Sequence, residues 1–148
     1  MKRKLTIISL AASLTLSAEI NSPFADGCLQ RGIVLLRNDF TQGAIDQLDI
    51  ARHSFPTPTQ DAAIAWGKAI ATLREGNIDS ARGLLQKYIE AYPATAQTLK
   101  ARIALADCDF YQGRYREALS TYNAISPSAP DLALADDLIY RTAYCDMM

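Results

Sequence analysis

The residues able to do covalent or acid–base chemistry are few and poorly placed for it. His53 is the only histidine of the 148-residue chain, and it falls near the end of a helical pattern, where an imidazole is a solvated or capping group rather than a base. The three cysteines, Cys28, Cys108 and Cys145, form no Cys-x-x-Cys, and with one histidine they make no zinc constellation. Each reads first as a small apolar core residue, because free cysteine is among the most buried side-chain types. Asp107 with Asp109 and Asp136 with Asp137 are paired only in sequence. Neighbours one or two positions apart do not share a helix face, so all four are expected to be solvated. Neither a Gly-x-Ser-x-Gly elbow nor a phosphate-binding glycine loop occurs. No catalysis, cofactor, metal or small-molecule substrate is expected from this set.

Composition narrows the classes further. With 49% hydrophobic and 21% charged residues, the chain is ordinary globular material long enough for one domain with a core. Lys2, Arg3 and Lys4 precede LTIISLAASLTLSA, residues 5–18, which carry no charge. A basic start, a short apolar stretch and small residues read as a secretory signal over 1–18, cleaved after Ser17 or Ala18, with 19–24 as a short linker. The alternative is that the same stretch is retained as a membrane anchor, although it is short for a spanning helix. A lipid anchor at Cys28 fits poorly, since "FADGC" lacks the leucine and small residues expected before a modified cysteine. Losing Lys2, Arg3 and Lys4 takes the cations from 15 to 12 against 16 acidic residues, a formal charge of −4. That balance argues against nucleic acid as a partner, because a basic stripe supplies most of such affinity.

What must position any binding residue is a repeat. "NDFTQGAIDQLDIARHSFP" from 38, "EGNIDSARGLLQKYIEAYP" from 75 and "QGRYREALSTYNAISPSAP" from 112 start 37 residues apart. Four columns keep that interval: Ala44, Ala81, Ala118; Leu48, Leu85, Tyr122; Ala51, Tyr88, Ile125; and Pro56, Pro93, Pro130. The first three columns, spaced by four and then three, share one helical face, and the proline stops the helix. Upstream, Gly32, Ala69, Ala106 and Ala143 form a small-residue column. Leu29, Trp66, Ile103 and Tyr140 lie three before it, and Leu36, Leu73, Phe110 and Met147 four after it. Each unit is therefore a helix, a tight turn at Asp39, Gly76 or Gly113 where positive φ fits, a second helix and a loop. The pairs expected are 25–38 with 41–54, 60–75 with 78–92, and 97–112 with 115–126, followed by 134–148.

These columns, above all in "LADCDFYQGRYREAL" (105–119) and "LLQKYIEAYP" (84–93), resemble the tetratricopeptide repeat family. The resemblance covers residues 25–148 and implies an all-α fold. The expected architecture is an α-solenoid of antiparallel helix pairs with repeats at about 25–58, 59–95 and 96–132 and a half repeat at 133–148. A period longer than the usual one, units ending in Tyr-Pro and the leading signal are similar to bacterial cell-envelope members of the outer-membrane assembly lipoprotein and Tol-Pal coordinator types. The chain also departs from the family pattern. Columns that usually hold large apolar residues here hold Cys28, Ala65, Arg102, Ile139 and Leu35, Thr72, Asp109, Asp146, which implies a rotated or looser pairing of the helices.

In the family the first helices line a groove for a partner segment. Carried over by column, the groove takes Leu29, Ile33 and Arg37; Trp66, Ile70 and Arg74; Ile103, Asp107 and Tyr111; and Tyr140 with Tyr144. The family's carboxylate clamp of Lys, Arg and Asn is absent, so an apolar or aromatic protein segment is the partner expected. A Trp-Ile-Tyr stripe at helical spacing is more often core than binding surface, so these residues also read as core stacked between repeats. Because the last helix offers Ile139, Tyr140, Ala143, Tyr144 and Met147, the chain reads as the N-terminal part of a longer array, or as a homo-oligomer through that helix. The function expected is a non-catalytic interaction scaffold of the bacterial envelope, in the periplasm or at the periplasmic face of the outer membrane. The other reading is a structural or oligomerising spacer. Expressed in a bacterium with a general export pathway, the protein should be recovered with its N-terminus at Ala18 or Glu19. Terminal sequencing that returns an uncleaved N-terminus would exclude the signal.

Overall fold

The computed structural model describes residues 8–54, 56–93, 95–125 and 132–148. The basic residues Lys2 to Lys4 and the Pro130 stop lie outside them. The regular structure of the described residues is entirely α-helical: α1 (Ile8–Arg37), α2 (Thr41–Arg52), α3 (Pro58–Arg74), α4 (Ile78–Ala91), α5 (Ala96–Tyr111), α6 (Tyr115–Ile125) and α7 (Leu132–Met147). Helices α2 to α7 begin and end within two residues of the bounds read from the 37-residue interval.

The start of α3 differs for a local reason, and that of α1 differs most. Helix α3 begins at Pro58 rather than 60 because Thr57 and Gln60 close a capping box. Thr57 N donates to Gln60 Oε1 at 2.8 Å, and Gln60 N donates to Thr57 Oγ1 at 3.3 Å. Proline suits the first helical position, where its missing N–H has no intrahelical partner to lose. Helix α1 reaches back to Ile8 with Pro23 inside it, so residues 19–24, expected as a linker, are helical. Pro23 forfeits a single backbone bond there, and no second proline interrupts the run. No helix among the described residues is long and apolar enough to cross a membrane.

The chain divides into two compact units, Met1–Ala71 and Thr72–Met148. In the first, α1 and α2 form a hairpin closed by Asp39, whose φ of +60° is the left-handed conformation expected at the turn. Arg31 Nε donates to Gln47 Oε1 at 2.9 Å, while Gly32 faces Ala44 and Leu48 and Gly43 faces Leu35, so the two helices run in opposite senses. Leu48 is the wedge of this unit. A Cβ added at Gly32 would lie 3.0 Å from its side chain, and one added at Gly67 of α3 would lie 3.1 Å from it. The glycines let both first helices close on one leucine. Cys28, Leu29, Ala51 and Ile64 complete that core, and Lys68 Nζ pairs with Asp49 at 2.5 Å at its margin.

In the second unit α4, α5, α6 and α7 pack in succession. Asn77 caps α4, and Thr95 with Thr98 caps α5. The core gathers Ile103 and Ala106 of α5, Ala118, Tyr122 and Ile125 of α6, and Leu138 and Cys145 of α7. Every member of the three second-helix columns is buried: Ala44, Ala81, Ala118; Leu48, Leu85, Tyr122; Ala51, Tyr88, Ile125. Gly76 and Gly113 turn at φ of +79° and +72°, and a Cβ at Gly113 would touch nothing within 4 Å. Gly113→Ala therefore isolates the backbone cost of the left-handed turn. It should lower unfolding stability by about 1 kcal/mol, read as a shift in urea midpoint at unchanged slope.

Candidate functional site

Helix α5 carries two aspartates that face opposite surroundings. Asp109 is 6% exposed, in the column where a rotated or looser pairing was expected. The carboxylate there is buried and paired. Arg82 Nη1 of α4 lies 2.8 Å from Asp109 Oδ1, and Arg114 donates to the same oxygen from Nε at 3.0 Å and Nη2 at 2.5 Å. Arg114 N also donates to the Asp109 carbonyl at 2.9 Å, so this residue ties the α5–α6 turn to α4. Burial pushes its carboxyl up, with Arg82 pulling it back and Glu117 adding to the rise. Thr72 in the equivalent column is buried as well, whereas Asp146 is exposed.

Asp107 is likewise not the solvated carboxylate expected. Its Oδ1 accepts from Tyr122 Oη at 2.5 Å and from Arg141 Nη1. Arg141 Nε in turn donates to Asp137 Oδ2 at 2.8 Å, and the guanidinium carbon stands 6.0 Å over the Tyr122 ring, within cation–π range. Burial and the Asp107 carboxylate push the Tyr122 phenol far above its usual range. Burial works against the Arg141 cation, and Asp107 with Asp137 outweighs it, so the guanidinium is held firmly charged.

Over this network opens a cleft of about 330 Å³ lined by Asp107, Phe110, Tyr111, Tyr122, Asp137, Tyr140, Arg141 and Tyr144. Phe110 is the hub of its aromatic wall, with ring centroids at 5.3 Å from Tyr144 and 5.9 Å from Tyr111, and it also meets Tyr115, outside the lining, at 5.3 Å. Asp107, Tyr111, Tyr140 and Tyr144 of the expected groove thus meet in one place. Ile103, assigned to the same groove, belongs to the core beneath it, and Arg74 is exposed. In the first unit Leu29 is core and Ile33 packs against it, Arg37 is exposed, and Trp66 and Ile70 are half-buried.

Four lining residues were missed by sequence reasoning: Phe110, Tyr122, Asp137 and Arg141. A signal for them existed. The wedge column reads Leu48, Leu85, Tyr122, and the small column facing it reads Gly67, Ala104, Arg141. Both break their pattern at the same step, Tyr122 in the third repeat and Arg141 in the half repeat that follows it.

Two family models, each described as tetratricopeptide repeat, match residues 29–96 and 73–139. The chain belongs to the tetratricopeptide repeat family. No curated protein matches it. Tetratricopeptide repeats generally mediate protein–protein interaction through an all-α helical repeat solenoid, and such proteins are generally non-catalytic. In this tetratricopeptide repeat chain His53 is an exposed C-cap of α2 whose Nδ1 lies 2.7 Å from the Asp49 carbonyl. The cysteines are free and buried. Burial, reinforced by Asp107 and Asp109, pushes the Cys108 thiol up to about 11, and burial also raises Cys145.

The Cys108 shift has a direct consequence for stability. As pH rises, the unfolded chain loses its thiol proton near the ordinary 9.0, before the folded chain does near 11. Its contribution is therefore complete below pH 9.0 and is lost as pH climbs through about 11. Urea midpoints measured across that window should fall less steeply for Cys108→Ala than for the wild type. Parallel slopes would show that the thiol does not titrate differently in the fold.

Proposed function

We propose that this tetratricopeptide repeat protein is a non-catalytic scaffold of the bacterial cell envelope that holds an apolar or aromatic segment of a protein partner in the cleft between α5 and α7. The observation that carries this reading is the exposure of Tyr111 and Tyr140, 66% and 69%, in the wall of a concave site. Large aromatic rings left open at a pocket are the residues on which binding energy concentrates. Beneath them Phe110 and Tyr144 are packed ring against ring, so the wall is held before a partner arrives. The envelope part of the proposal rests on the order of basic, apolar and small residues over 1–18 and on the likeness to envelope members.

A second reading, an oligomerising spacer, is favoured by Ile139 and Met147 of α7, which are 61% and 75% exposed. Affinity capture from bacterial envelope extract separates the two. The wild-type chain should retain a partner that Tyr111→Ser/Tyr140→Ser loses, at unchanged helical content and melting temperature, because both side chains lie outside the core. Truncating such an anchor typically costs about 2 kcal/mol of binding, enough to empty the bait. Recovery of the same proteins on both baits would remove the cleft from the function. A sedimentation shift abolished by Ile139→Ser/Met147→Ser would favour the spacer.

A further inference from the structure

Building on the scaffold reading, we infer that the cleft selects a basic side chain, arginine or lysine, presented by the partner segment within its apolar surroundings. The cleft holds two carboxylates, Asp107 and Asp137, against one guanidinium, Arg141. Arg141 is already paired through Nη1 with Asp107 and through Nε with Asp137, so two carboxylates outweigh its single positive charge. Each carboxylate enters the network through one oxygen only, Asp107 Oδ1 and Asp137 Oδ2. Asp107 Oδ2 and Asp137 Oδ1 receive no hydrogen bond from the described residues. The site therefore presents one net negative charge, with acceptors unused.

The walls suit a cation for a second, independent reason. Tyr140 and Tyr144 line the same cleft, and the face of an aromatic ring attracts an ammonium or guanidinium. The protein makes this arrangement once within itself. Arg141 stands over the Tyr122 ring while bonded to Asp107, a guanidinium held between an aromatic face and a carboxylate. An incoming arginine or lysine would repeat that geometry one layer out, against Tyr140 or Tyr144 and the unused carboxylate oxygens. A volume of about 330 Å³ lies at the small end of ligand pockets and suits one long side chain with its immediate neighbours. Desolvating the cation there is tolerable because opposite charge and hydrogen-bond acceptors replace water. An acidic segment would meet like charge from both aspartates.

The test uses three blocked heptapeptides of alternating alanine and leucine, identical except for a central arginine, citrulline or glutamate, titrated calorimetrically into the full chain. Citrulline keeps the shape of arginine and removes its charge. The arginine peptide should bind about tenfold tighter than the citrulline peptide, and added salt should narrow the gap. Asp137→Asn, at a solvent-exposed position, should lower affinity for the arginine peptide and leave the citrulline peptide unchanged. Tyr140→Ala should weaken both. Equal binding of arginine and citrulline peptides would overturn the inference while leaving an apolar docking cleft in place. Tighter binding of the glutamate peptide would overturn it in favour of Arg141 as an anion site. Failure of the arginine peptide to bind at all would overturn it outright.

Discussion

In each 37-residue unit the second helix carries a fully buried wedge, and the wedge limits what its neighbours can be. Leu48 shows the rule in its simplest form: it is buried completely between two glycines, neither of which could add a Cβ without pressing on it. Burying such a leucine is worth about 1.5–3 kcal/mol relative to exposure. That gain depends on close approach by the helices on both sides, which only small residues permit. The small-residue column is therefore a packing requirement imposed by the wedge, and the 37-residue interval persists because each copy has the same requirement.

The cleft arises where the wedge is a tyrosine. Tyr122 is as deeply buried as Leu48, yet it brings a hydroxyl that would cost free energy if left unpaired. Asp107 supplies the acceptor, and Arg141, standing where Gly67 and Ala104 stand in the preceding copies, neutralises Asp107 and covers the ring. An arginine cannot let α7 close as a glycine would. Arg141 is part of the lining of the 330 Å³ cleft. A change of one core residue type thus accounts for the charged pair beneath the cleft.

The apolar part of this was legible in the sequence. Regular burial at a fixed interval writes itself as columns, and Ala81, Leu85 and Tyr88 are buried as their columns require. The polar part was not, because a charged residue in an apolar column has two physical meanings. It marks either a face turned to solvent or a buried ion with partners, and periodicity alone does not separate them. Asp109 is the second kind, held by Arg82 from α4 and Arg114 from the next turn. Those partners lie 27 residues before it and five after, so no local pattern joins them. Asp107 escaped for the same reason, its partner Arg141 lying 34 residues on. Ile103 was misplaced by the opposite error, since α5 buries apolar residues on more than one face, Ala101, Ala104 and Cys108 as well as Ile103 and Ala106.

The two aspartates divide the labour of α5. Asp109 turns its charge inward, on a tie between α4, α5 and the turn after α5 that fixes where α5 sits. Asp107, two positions away and on another face, keeps part of its charge for the cleft. Because one oxygen of Asp107 serves both Tyr122 and Arg141, its orientation is set by the core before any ligand arrives, and a preorganised acceptor loses little on binding. The same sharing makes the site sensitive to the fold. Removing the carboxylate would strand a buried hydroxyl and leave Arg141 with Asp137 alone, so stability and recognition cannot be changed separately at position 107. Asp137 and Tyr140, exposed and outside the core, are the positions where recognition can vary while the wedge and its neighbours stay as they are.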